Sequence, residues 1–199
     1  MFLNAKHWQI FLLTFGIPML LQLFFIASIF QSINADTPPD SDFILRYLLF
    51  FPILMIFFTA VFFGWFWSVG VGLDKKIPEH LKLNVGRFKK ILLFPFVYIL
   101  LISGFIGYIF SGGLLFENEP NFSVFGLIFL LHIGSMIAIF YSLYFVAKTI
   151  KTAELQKPVS FGDFAGEFFL IWFFPVGVWI VQPKINEMVR ERDEFDAEI

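Results

Sequence analysis

Between Gln9 and Phe30 the chain carries no charged side chain, and that run of about 22 residues matches the ~20 needed to cross a ~30 Å hydrocarbon core. Three further predominantly apolar runs follow, at about 43–71, 88–110 and 123–147, and a fifth, at about 164–181, is interrupted by Pro175-Val-Gly177. In lipid each backbone N–H and C=O must bond within the protein, so runs of this length are expected to be helices. The first run is too long for the apolar core of a signal peptide and reads as a helix that stays in the protein. The expected fold is all-α, a polytopic membrane helix bundle with four full transmembrane helices plus a fifth Pro/Gly-broken apolar segment that spans or re-enters. A single transmembrane domain covers 1–182, and 183–199 is a short charged tail. Charged residues make up 15% of the chain, against about 25% for a soluble domain.

Local signals refine this outline. Pro18, after Gly16, predicts a kink in the first helix. Gln22 is that helix's one strongly polar interior group and is expected to face another helix. Ser41 or Asp42 is the expected N-cap of the second helix, with Arg46 and Tyr47 near its start and Trp65 and Trp67 near its end at the two interfaces. Trp172 and Trp179 are read as interfacial anchors too. Asn84 should cap the third helix, and Pro95 should kink it. Residues 112–122 form an acidic turn. Ser160 and Asp163 resemble a capping box at the start of the fifth run. Small residues recur four apart in two ridges, Ala60/Gly64/Ser68/Gly72 and Ser103/Gly107/Ser111, and at multiples of four in a third, Gly126/Gly134/Ala138/Ser142, interrupted by Leu130, where helices can approach closely.

Charge fixes the orientation. The stretch from Asp74 to Lys90 holds six of the fourteen Lys and Arg residues (Lys75, Lys76, Lys82, Arg87, Lys89 and Lys90). The loop after the fourth run adds Lys148, Lys151 and Lys157, whereas the other two loops offer Arg46 alone. Cytoplasmic loops carry the excess of Lys and Arg, so the N-terminus and loops 72–87 and 148–163 are expected in the cytoplasm. The tail conflicts with five full crossings, because Lys184, Arg190 and Arg192 would then lie outside. A re-entrant hairpin at Pro175-Val-Gly177 removes the conflict, and an ordinary fifth helix leaves it standing. Six of the 25 positions from 71 to 95 recur 80 residues later, including Pro78, Gly86 and Pro95. This is either a parallel duplication or two helix–loop–helix units with the same packing problem.

Few side chains carry chemistry. With no cysteine there is no disulfide, thiolate site or Cys nucleophile. No metalloprotease, dinucleotide, P-loop or nucleophile-elbow motif is present, no cofactor is implied, and the chain is not expected to be an enzyme. Net charge is −2, so no global field favours nucleic acid. His132 is the one ionisable group deep in a clear apolar run, with Ser135 three residues on; an intramembrane ionisable group is a functional candidate, although one interhelical hydrogen bond would also account for it. Asp163 and Glu167 share a helix face, where paired carboxylates can hold a cation or where acids simply suit the helix dipole. The six basic residues of 75–90 are candidate contacts for anionic lipid or for a partner.

The stretch from Phe168 to Asn186, and Lys6-His7-Trp8-Gln9 before the first run, resemble segments of small, uncharacterised multi-pass bacterial membrane proteins. The resemblance implies a bacterial inner-membrane protein and carries no activity or site residue. The expected function is a non-enzymatic partner subunit, scaffold or sensor, with membrane lipids and a protein partner or a homo-oligomer as contacts. The alternative is a small oligomeric transporter or channel using His132 and the Pro-broken segments.

Overall fold

The computed structural model describes residues 2–34, 41–109 and 122–197, with backbone alone at 34, 41–44, 46, 47, 122 and 192–197. Residues 35–40, the acidic turn, Ser111 and the side chains of Ser41, Asp42, Arg46, Tyr47 and Arg192 lie outside the described residues. Among those described there is no strand. Helices α1 (His7–Phe11) and α2 (Ile17–Asn34) are joined by a π turn, Leu12–Gly16. They are followed by α3 (Ser41–Gly72), α4 (Val85–Tyr108), α5 (Phe122–Leu155), α6 (Phe161–Trp172) and α7 (Phe174–Ala197). Among the described residues four stretches, His7–Ile33, Leu48–Lys76, Val85–Tyr108 and Ser123–Leu155, are long and apolar enough to cross a membrane.

The prolines of the apolar runs are accommodated in more than one way. Pro18 offers no N–H to the Thr14 carbonyl, and its ring would press on that carbonyl in a regular helix. The widened turn at Leu12–Gly16 relieves this, and the Thr14 hydroxyl bonds to the Ile10 carbonyl at 2.8 Å. The expected disturbance at Pro18 is therefore a π turn. Pro52 and Pro95 are carried inside unbroken helices. The fifth run breaks at Phe173 (φ −88°, ψ 54°), and Pro175 falls in the first turn of α7, where its missing N–H costs nothing. The segments that match across 80 residues thus diverge: Pro95 continues a helix, whereas Pro175 opens one.

Two boundaries differ from expectation. α5 runs to Leu155 instead of ending near Ala147, because Ile150 and Ala153 remain on its buried face. α7 does not end at Gln182-Pro183-Lys184; it continues to Ala197. An interior proline costs a helix about 3 kcal/mol. Burial of Val181, Ile185 and Val189 along one stripe offsets it.

The core occupies the half of the bundle nearest the basic connections. Trp65, Phe66 and Val69 of α3 meet Phe88 of α4, Val146 and Ile150 of α5, and Phe164 of α6, all with essentially no exposure. Lipid tails are as apolar as these side chains, so close packing has to hold them together. Phe88 stacks on Phe145 with centroids 4.3 Å apart, and its ring lies over Gly70, where an added Cβ would meet it at 2.7 Å. The small-residue ridges are used unevenly. Gly64 and Gly72 admit Phe2 and Leu3 of the N-terminal turn, Gly107 meets Pro52, Gly134 meets the Phe94 ring, and Gly126 faces open space.

Candidate functional site

The densest polar chemistry lies at the end of the bundle that carries the basic connections, and Gln182 is its centre. Its side chain is fully buried. Its Oε1 accepts from Trp65 Nε1 at 2.8 Å, while its Nε2 donates to the carbonyls of Phe2 at 3.0 Å and Ala5 at 2.9 Å. One turn on, Asn186 Nδ2 donates to the Leu3 carbonyl at 2.7 Å. Within the short N-terminal helix (Phe2–Asn4) the Phe2 carbonyl accepts from Ala5 N at 3.2 Å, and two amides from α7 add bonds to the Phe2, Leu3 and Ala5 carbonyls. Trp65 is therefore a core residue pinned by Gln182 and does not sit at an interface as expected. Trp67, Trp172 and Trp179 are each nearly half exposed, and Trp179 packs on His7 and Phe11.

Next to this hub four charges close a ring. Lys184 Nζ lies 2.7 Å from Glu154 and 2.8 Å from Glu167; Lys151 Nζ lies 2.9 Å from Glu154 and 3.3 Å from Glu167. Each cation touches both anions, so no charge is left uncompensated, which is the condition under which partly buried ions are tolerated. Asp163 and Glu167 do not act as a pair. Glu167 points into the ring, while exposed Asp163 accepts from the Ser160 hydroxyl and backbone N–H, each at 2.7 Å. Those two bonds hold the Asp163 carboxyl below its ordinary range. The Asn84 cap is present as well, its Oδ1 accepting from Arg87 N at 2.9 Å.

His132 and Ser135 occupy different surroundings. His132 is exposed on the outside of the bundle, with Nδ1 3.3 Å from the Tyr98 hydroxyl. Ser135 is buried, and its hydroxyl has no hydrogen-bond partner. Among the described residues, no group of three or more His, Asp or Glu side chains could hold a metal ion.

The six basic residues spread over two short 3₁₀ turns and the start of α4. Lys75 is exposed, Lys76 Nζ donates to the Val189 carbonyl of α7 at 3.1 Å, and Lys82 pairs with Glu79. Arg87 lies over the Tyr141 ring at 5.7 Å and Lys89 over the Trp67 ring at 5.1 Å; Lys90 is exposed. The Lys76–Val189, Asn186–Leu3 and Lys184–Glu154 contacts gather the N-terminus, both basic connections and the tail at one end of the bundle.

α2 is the opposite case. None of its described side chains is buried, and its apolar residues run round all its faces. Gln22, near the middle of the His7–Ile33 span, is exposed and bonds to no described residue. The expectation is that it faces another helix, and among the described residues no helix covers it.

The Gln182 hub and the charge ring escaped the sequence, where Gln182 reads as the end of an apolar run and Lys184 as a tail charge on the wrong side. That lysine, at odds with five full crossings, was the usable signal for its pairing with Glu154 and Glu167. No family model matches the chain, and neither a curated protein nor a solved structure matches it.

Proposed function

We propose that this chain is a non-enzymatic partner subunit of a bacterial inner membrane, a compact anchor that presents α2 to another transmembrane helix. Gln22 carries this reading. An amide in hydrocarbon with no partner is costly, and lipid tails offer it none. A neighbouring helix with a polar side chain satisfies it, at about 1 kcal/mol per hydrogen bond. An amide is both donor and acceptor, so Gln22 of a second copy is a sufficient partner.

The rest of the molecule suits the role of anchor. The N-terminus and loops 72–87 and 148–163 face the cytoplasm, as the lysine and arginine excess requires. The α6–α7 pair re-enters from that side and returns to it. Three observations support this path: the break at Phe173, the Lys184–Glu154 bridge, and the closed backbone at the tip, where Gly177 N bonds to the Phe173 carbonyl at 2.8 Å. The transporter alternative rests on His132, which sits outside the bundle against Tyr98 and would need a second copy to enclose it. Light scattering of the protein in mild detergent tests the docking reading. Gln22→Leu is expected to lower the mass of the assembly at unchanged helicity; an unchanged mass, or a wild-type protein that is monomeric and partner-free, counts against it.

A further inference from the structure

We infer that α4 carries a binding site for one anionic diacyl phospholipid, seated astride Leu93 with its phosphate between Lys89 and Lys90. The inference is independent of the docking role given to α2 and needs only that the apolar helices lie in a bilayer.

Two grooves flank the same residue. One runs between α3 and α4, about 280 Å³ in volume, walled by Ala60, Phe63, Trp67, Leu92 and Phe96. The other runs along α4 toward α5, about 310 Å³, walled by Phe94, Val97, Tyr98, Leu101 and Leu131. Leu93 belongs to both and is the exposed ridge between them. Both walls are overwhelmingly apolar, which suits alkyl chains and little else.

The lysines stand at the head of this ridge. Lys89 and Lys90 are four and three residues before Leu93, so both rise from its face one turn nearer the basic end. Lys90 itself borders the α4–α5 groove, and Lys89 lies over Trp67, which walls the other. Neither lysine has a carboxylate partner among the described residues, in contrast to Lys82, Lys151 and Lys184, which all do. Two uncompensated cations at the mouth of two adjoining apolar grooves match one phosphodiester with two chains. A single-chain amphiphile would leave one groove empty, and a zwitterionic headgroup would set its own cation beside the two lysines.

Trp67 makes the site testable. The protein is reconstituted into phosphatidylcholine vesicles doped with either phosphatidylglycerol or phosphatidylcholine brominated on the acyl chains. Quenching of Trp67 is read as the difference between the wild type and Trp67→Phe. The expected result is stronger quenching by brominated phosphatidylglycerol at equal mole fraction. The preference should fall about fivefold for each lysine neutralised in Lys89→Gln and Lys90→Gln, and survive in the Lys89→Arg/Lys90→Arg protein. Ala60→Leu, which fills one groove and keeps both cations, should weaken quenching by brominated phosphatidylglycerol while circular dichroism stays unchanged. Equal quenching by the two lipids, or a preference that survives removal of both charges, overturns the proposal.

Discussion

Lys184 and Glu154 are 2.7 Å apart, although a straight fifth crossing would leave them on opposite faces of the membrane. α6 has 12 residues and therefore a length of about 18 Å, roughly half the hydrocarbon thickness. α7 starts at the far end of α6 and brings Lys184 back to the level of Glu167. Lys184 thus lies at the same end of the bundle as Glu154 and Lys151.

Single cysteines test this path without background, because the chain has none of its own. Lys157→Cys and Glu191→Cys are expected to react with an impermeant maleimide from the same side, and Ser32→Cys from the other. Glu191→Cys reacting together with Ser32→Cys would mean that the segment crosses.

The charge ring predicts a coupled loss. Exposed pairs contribute under about 1 kcal/mol, whereas breaking a fully buried pair costs about 3–5 kcal/mol. Glu167 is nearly buried while Lys184 and Glu154 are less so, which places Glu167→Gln between these limits, at about 1–2 kcal/mol. Thermal unfolding in detergent should show it. Lys184→Gln combined with Glu167→Gln should cost less than the sum of the single changes; strict additivity would mean that the two side chains do not interact.

Gln182→Leu keeps the volume close and removes the amide. The Trp65 N–H and the Ala5 carbonyl then lose the Gln182 amide, at about 1–3 kcal/mol for each group left dry, while the Phe2 carbonyl keeps its bond from Ala5 N. Proteolysis or hydrogen exchange at residues 2–6 should rise more than exchange in α5, since the amide is what ties the N-terminal turn to α7. Uniform loosening of the whole chain would contradict that role.

Gly177 and Gly166 give a paired test of the corner. An added Cβ at Gly177 would run into the Leu170 backbone carbonyl, whereas one at Gly166 meets nothing within 4 Å. Gly166→Ala should be neutral or slightly stabilising through helix propensity. Gly177→Ala should cost at least about 1–3 kcal/mol as an overpacked contact, and should separate Lys184 from Glu167. Equal melting temperatures for the two variants would argue against the tight corner.

What the sequence reveals of this molecule is what a one-dimensional pattern can encode. Apolar runs mark the helices, and Asn84 and the Ser160–Asp163 pair are legible because caps act within three residues. The uses of the small residues were not legible: Gly64 and Gly72 look like a helix-packing ridge, yet the neighbour they admit is the N-terminal turn, which no local pattern announces. Trp65 reads as interfacial by its place near a helix end, and only the amide of Gln182, distant in sequence, makes it a core residue. The same holds for the ring, whose four members lie on three helices. His132 was visible as an anomaly, but its Tyr98 partner was not, since nothing in the sequence sets the pairing of α4 with α5.

Crosslinking at Gln22 in native membranes is the most direct test of the partner-subunit account. Gln22→Cys and, as a lipid-facing control, Leu101→Cys are each oxidised in membranes and treated in parallel with a short bifunctional thiol–amine reagent. The account predicts a discrete product above the monomer from Gln22→Cys, at twice the chain mass for a second copy or at another fixed mass for a different subunit, and none from Leu101→Cys. Absence of any product from Gln22→Cys, or the same products from both positions, would contradict it.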